Sequence, residues 1–151
     1  MKGPLELNLV VAWCWIFLGF LSGMLLGLFY HRDNWLGGYG SLKRRMYRLG
    51  HISFFGLGTV NLLFWLTMKD HAAIGSPVVV ASWAFILGAL TMPLCCVIMA
   101  HFPKLHAVFT VPVLSLLLAG GLTLAAVIRS EPSQADNKPT LHQQLSIANH
   151  P

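Results

Sequence analysis

The sequence predicts an all-α integral membrane protein, an up-down-up-down bundle of four transmembrane helices. Of its 151 residues, 56% are hydrophobic and only 10% are charged, and the mean hydropathy is +0.66. Soluble domains typically carry about 25% charged residues. The charged residues also leave long apolar stretches uninterrupted, and these are too long for the alternating strands of a membrane barrel.

Four stretches are long enough to cross a hydrocarbon core about 30 Å thick, which needs roughly 20 residues at about 1.5 Å each. We place the spans at about 7–30, 51–68, 74–100 and 106–128. Residues 1–128 then form the four-helix membrane domain. Residues 129–151 form a polar tail that contains three prolines, and its composition predicts no core of its own.

The first span could instead be a cleavable signal peptide, because Lys2 precedes it. Its apolar run is longer than the roughly 7 to 15 residues of such a segment, and bulky Phe29 and Tyr30 follow where small residues would mark cleavage. We interpret it as a retained span. Within it, Gly19, Gly23 and Gly27 predict either close helix packing or room for a flat cofactor.

The later spans contain two internal prolines. Pro93 and Pro112 lack the N–H that would bond the carbonyls of Ala89 and Val108, so we expect a kink near each of these two residues.

Lysine and arginine counts predict the orientation. The loop between spans one and two carries five cations and the loop between spans three and four adds Lys104, whereas the opposite side has Lys2, Lys69 and Arg129. Positively charged loops favour the cytoplasm, so both termini are expected on the non-cytoplasmic side, most simply of a bacterial inner membrane. The net charge of +5 then reflects topology and contact with lipid head groups, not nucleic-acid binding.

Histidines at the span ends are the candidate cofactor ligands. His51 begins span two, His101 ends span three and His106 begins span four, which places all three at the cytoplasmic face. Imidazole is the usual protein ligand of haem iron, and helical bundles build such sites from facing helices. The cofactor is predicted as one haem b, or failing that a quinone. Helix dipoles slightly favour pairing His51 with His106 over His101.

The surroundings of His51 suit a flat ring. Phe55 and Gly58 share its face of the helix, and Phe54 and Asn61 lie alongside. Nearby cations could pair with haem propionates, and these are Arg44, Arg45, Arg48 and Lys104.

A sulfur stripe on span three is a competing metal site. Met92, Cys95, Cys96 and Met99 recur at helical spacing, and soft sulfur ligands suit Cu(I). The same residues are also ordinary apolar packing residues.

Function follows as two alternatives. The first is a small membrane subunit of a respiratory or other electron-transfer complex, working beside other membrane subunits as an electron carrier. The second is a structural or assembly subunit without a cofactor. No independent catalytic motif is present. In architecture alone, His51, His101 and His106 on four helices resemble the four-helix membrane b-type cytochromes.

Overall fold

The computed structural model describes residues 3–70 and 75–129, and the regular secondary structure of this part of the chain is all helical. The four main helices are α1 (Pro4–Tyr30), α2 (Leu42–Met68), α3 (Ser76–His101) and α4 (Thr110–Arg129). Short 3-10 segments lie before α2 and α4, at Trp35–Gly37 and Pro103–Phe109. Four segments are long and apolar enough to cross a membrane, which confirms the predicted class of integral membrane protein. The predicted tail lies outside the described residues from Ser130 onward.

Helix α2 begins at Leu42, well before the predicted start near residue 51. Lysine and arginine are good helix formers, so the cationic segment continues the helix and does not interrupt it. Ser41 caps this end, because its Oγ accepts a hydrogen bond from the backbone N–H of Arg44 at 3.2 Å. His51 therefore lies in the third turn of α2, roughly 14 Å along the helix and not at its entrance.

Helix α4 begins later than predicted, at Thr110 instead of residue 106. Pro112 cannot bond the carbonyl of Val108, and the chain before Thr110 follows a tighter 3-10 course. His106 lies in this 3-10 segment and not in the first turn of an α-helix. The dipole argument that favoured His106 as a ligand is therefore wrong.

Helix α3 is at the centre of the packing. It contacts all three other helices, α1 also packs along α2, and α4 packs mainly on α3. The first turns of α1 meet the last turns of α2, where Asn8 bonds Asn61, and the later turns of α1 meet the early part of α2, where Gly23 contacts His51. Phe64, Met68 and Phe85 are the largest members of the buried apolar cluster between the helices.

Both internal prolines have a neighbouring side chain that bonds the carbonyl they leave unpaired. The indole Nε1 of Trp15 donates to the carbonyl of Ala89 at 3.0 Å, and Ala89 lies four residues before Pro93. The Cys95 thiol donates to the carbonyl of Val108 at 3.5 Å, four residues before Pro112. Side chains from adjacent helices thus satisfy backbone groups that cannot be bonded within their own helix.

A polar cluster joins three helices. Asn8 on α1 donates from Nδ2 to Oδ1 of Asn61 at 2.8 Å and to the carbonyl of Ser82 at 3.3 Å. The Ser82 hydroxyl lies within hydrogen-bond reach of Oδ1 of Asn8 and of the carbonyl of Pro4, and its one hydrogen can be donated to either. All three polar side chains are buried, so the cluster fixes the relative positions of α1, α2 and α3 inside an apolar environment.

Candidate cofactor cavity

The connector between α1 and α2 folds around a buried arginine. Arg44 is 1% exposed, and its guanidinium carbon lies 3.7 Å from the ring centre of Tyr39, 4.6 Å from that of Tyr30 and 5.8 Å from that of Trp35. Its Nη2 donates to the carbonyl of Tyr30 at 2.7 Å. Arginine interacts favourably with aromatic faces, and this one ties the connector to the end of α1.

The structure places Arg44 among these rings, and its expected role as a partner for haem propionates stays a prediction. Its Nε and Nη1 form no hydrogen bond within the described residues, and aromatic rings surround the group. The neighbouring cations Arg45 and Arg48, and Lys104 before α4, are exposed.

A cavity of about 410 Å³ lies beside this connector, between α1, α2 and α3. Its volume is within the range of about 300–1,000 Å³ that small-molecule sites occupy. Its wall is mostly apolar and aromatic. The polar side-chain groups on it are the hydroxyls of Ser22 and Tyr47, the imidazole of His51, the indole N–H of Trp35 and the thiol of Cys96. The lining residues are Ser22, Leu25, Leu26, Phe29, Trp35, Met46, Tyr47, Gly50, His51, Phe54, Pro93, Cys96 and Val97.

His51 and Ser22 are hydrogen-bonded across the interface of α1 and α2. The Ser22 oxygen lies 3.0 Å from the carbonyl oxygen of Gly19 and 3.0 Å from Nδ1 of His51, so its single hydrogen can serve either acceptor. When the hydroxyl donates to Gly19, the serine oxygen accepts from Nδ1–H of the neutral ring and Nε2 is left with a lone pair. No hydrogen bond from the described chain reaches Nε2. A metal or a hydroxyl donor could use that lone pair.

The glycine row of α1 receives side chains of α2. A Cβ added at Gly19 would lie 2.9 Å from the ring of Phe55, and one added at Gly23 would lie 2.7 Å from Cε1 of His51. Nothing lies within 4 Å of the corresponding position at Gly27. Helix packing therefore explains the first two glycines, and the space that they provide holds protein rings, not a cofactor.

The predicted face of α2 is confirmed, but it contacts α1. Phe55 packs edge-on against His51, with ring centres 5.5 Å apart. Gly58 lies against the backbone of Ala12 and Ile16. Phe54 lines the cavity beside His51, so the aromatic surface and the cavity lie next to each other.

The other two candidate histidines do not line this cavity. His101 is exposed, its Nδ1 lies 3.1 Å from the carbonyl of Val97, and it lines a second cavity of about 540 Å³ beside Ser41, Lys43 and Pro103. His106 is exposed and lines neither of these two cavities. The structure thus does not bring His51, His101 and His106 around a single cavity.

The sulfur stripe lies mainly in the helix interface. Cys95 and Cys96 are buried, and Cys95 bonds the carbonyl of Val108. Across residues 3–70 and 75–129, no group of three or more His, Cys, Asp or Glu side chains is placed to hold a metal ion.

Three structural features were missed in the sequence. The roles of Ser22 and Asn8 depend on partners on other helices, and neither residue is part of a local motif. The enclosure of Arg44 had a visible signal, because Tyr30 at the end of α1 and two aromatic residues of the connector, Trp35 and Tyr39, precede it closely in the sequence.

The chain matches no known family model, no curated protein sequence and no solved structure.

Proposed function

We propose that this protein is a small membrane subunit of an electron-transfer complex, and that it holds one flat redox cofactor, a haem b or a quinone, against His51. The proposal rests mainly on one observation. An apolar cavity of about 410 Å³ has on its wall an imidazole whose Nδ1 lies 3.0 Å from Ser22 Oγ and whose Nε2 has no hydrogen-bond partner in the described chain. Such a site offers a ligand atom to iron, or an acceptor to a hydroxyl group.

The proposal includes a topology. The four helices cross the membrane up-down-up-down with both termini on the non-cytoplasmic side, in a bacterial inner membrane. The cationic start of α2 then lies at the cytoplasmic face, and the cavity lies just inside it. The cavity wall carries no carboxylate, and we assign electron carriage to this subunit and catalysis on a substrate to partner subunits.

The test is the cofactor content of the protein purified with its complex in a mild detergent. We expect either a reduced α-band of haem b in dithionite difference spectra or about one extractable quinone per chain. His51→Ala should remove it. His31→Ala is the matched control, since His31 is an exposed histidine just after α1 and should leave the cofactor in place.

A cofactor-free structural or assembly subunit is the second candidate, and one observation favours it. His51 and Phe55 fill the glycine notches of α1, so helix packing alone gives both rings a role. This candidate requires a complex that contains neither haem nor quinone attributable to this chain, and that result would overturn the redox proposal.

A further inference from the structure

We propose that the ligand of the His51 cavity is the reduced, hydroxyl-bearing form of a quinone, and that Ser22 sets this preference for quinol over quinone. The inference rests on the proposed function and specifies which cofactor the site takes. Three observations support it: the uncharged wall of the cavity, the single imidazole on that wall, and the position of the Ser22 oxygen 3.0 Å from both the Gly19 carbonyl and Nδ1 of His51. The inference takes the arrangement in which Ser22 donates to Gly19 and accepts from Nδ1–H.

The wall of the cavity argues against haem b. Haem b carries two carboxylates, and buried carboxylates require cations or several hydrogen-bond donors. No Lys or Arg lines the cavity, and Arg44 at the start of α2 is enclosed by Tyr30 and Tyr39. A haem held by two histidines would also need a second one, and His51 is the single histidine on the wall. A neutral ring avoids both requirements.

The acceptor on the wall argues against a purely apolar occupant. A lipid acyl chain would cover Nε2 of His51 without giving it a hydrogen, and an unpaired polar atom in apolar surroundings costs free energy. A quinol offers a flat ring to Phe54, Tyr47 and Trp35, and a hydroxyl that can donate to Nε2. Its apolar substituents suit the aliphatic part of the wall.

The hydrogen bond from His51 to Ser22 makes the site selective for redox state. While Ser22 accepts from Nδ1–H, Nε2 can accept from a quinol hydroxyl. A quinone carbonyl is itself an acceptor and finds no donor at Nε2. Removing the serine oxygen frees the imidazole to place its proton on Nε2, and the ring then donates to a quinone carbonyl. Ser22 is thus a positioning residue that acts through His51.

The experiment uses the full chain in lipid nanodiscs, with a decyl-substituted benzoquinol and the matching benzoquinone as probes, and calorimetry to measure their affinities. One neutral hydrogen bond corresponds to a preference for quinol of about fivefold. Ser22→Ala should lower this ratio to about one or below by tightening quinone binding while weakening quinol binding. Ser22→Thr, which keeps the hydroxyl, should keep the preference for quinol of the original protein. A packing defect would weaken both ligands alike.

Nitrogen-15 NMR of the histidine rings gives a second measurement. The resonances of His51, identified by their loss in His51→Gln, should show the proton on Nδ1, and quinol addition should shift Nε2. A proton on Nε2 in the unmodified protein, or equal binding of both probes, would overturn the inference. A haem b that His51→Ala removes would overturn it while leaving the proposed function standing. Absence of both haem and quinone from the complex would overturn both.

Discussion

At the scale of single residues, polar atoms inside this apolar protein are paired across helices. Trp15 bonds the carbonyl that Pro93 leaves free, and the Cys95 thiol bonds the one that Pro112 leaves free. In a bilayer core no water is available to replace such bonds, so each pair links a local irregularity of one helix to the position of another. The two prolines therefore help to specify which helices pack together.

Replacing Trp15 with phenylalanine should destabilise the protein by about 1 kcal/mol, because the carbonyl of Ala89 loses its donor while an aromatic ring is kept. The free energy of unfolding in mixed micelles of mild detergent and dodecyl sulfate measures the effect. Trp13→Phe is the matched control, since Trp13 lies on the same helix, is 62% exposed and forms no hydrogen bond within the described residues. Equal stabilities of the two variants would contradict this role for Trp15.

The sequence predicts the acceptors of these two hydrogen bonds but not their donors. The freed carbonyls of Ala89 and Val108 follow from proline chemistry alone, and a side chain of another helix bonds each of them, whereas the expected kinks stay predictions. The donors could not be predicted, because Trp15 and Cys95 belong to other helices and no local pattern states which helix faces a given carbonyl. The same holds for Ser22, whose importance depends on the ring of His51 across the interface.

At the scale of helices, α1 and α2 approach closely through small residues. Gly19, Gly23 and Gly58 each remove a side chain where the opposite helix supplies a ring or backbone. Gly58 has the tightest backbone contact of the three, since an added Cβ would lie 3.1 Å from the carbonyl oxygen of Ala12. A backbone atom in a helix cannot move aside as the end of a flexible side chain can.

Gly58→Ala should therefore destabilise the α1 and α2 pair by about 1–3 kcal/mol, the usual cost of overpacking. Unfolding in the same mixed micelles measures it. Gly56→Ala provides the control two residues away, because Gly56 is exposed and nothing lies within 4 Å of its added Cβ. That variant should stay within about 0.5 kcal/mol of the original protein. A Gly58→Ala variant as stable as the original protein would show that α1 and α2 do not approach this closely.

The number and type of helices followed from the sequence, whereas two of their starts did not. Hydropathy locates the part of a helix that lipid surrounds, and it cannot detect a cationic first segment such as the one that opens α2 at Leu42. This error placed His51 at a helix end, although it is an interior residue facing Ser22 and Gly23. The predicted group of three histidines depended on that placement, which explains why they do not share a cavity.

At the scale of the whole molecule, the outer surfaces of α1 and α4 are strongly apolar. Trp13, Phe17 and Phe20 on α1 are each more than 60% exposed, and Leu117 on α4 is 67% exposed. Such surfaces suit lipid chains. The exposed cations are unevenly distributed. Those before α2 and in its first turns lie together at one end of the described helices. This asymmetry makes the orientation testable.

Fusion of alkaline phosphatase after Pro151 should give an active enzyme, and fusion of green fluorescent protein there should give a dark one, since both termini are predicted outside the cytoplasm. Neutralising three exposed cations of α2, as Lys43→Gln, Arg45→Gln and Arg48→Gln together, should weaken or reverse this orientation. Arg44 is left unchanged because the connector packs around it. Lys69→Gln with Arg129→Gln is the control and should keep or strengthen the original orientation. A fluorescent C-terminal fusion in the unmodified protein would reverse the proposed topology and move the His51 cavity to the opposite face of the membrane.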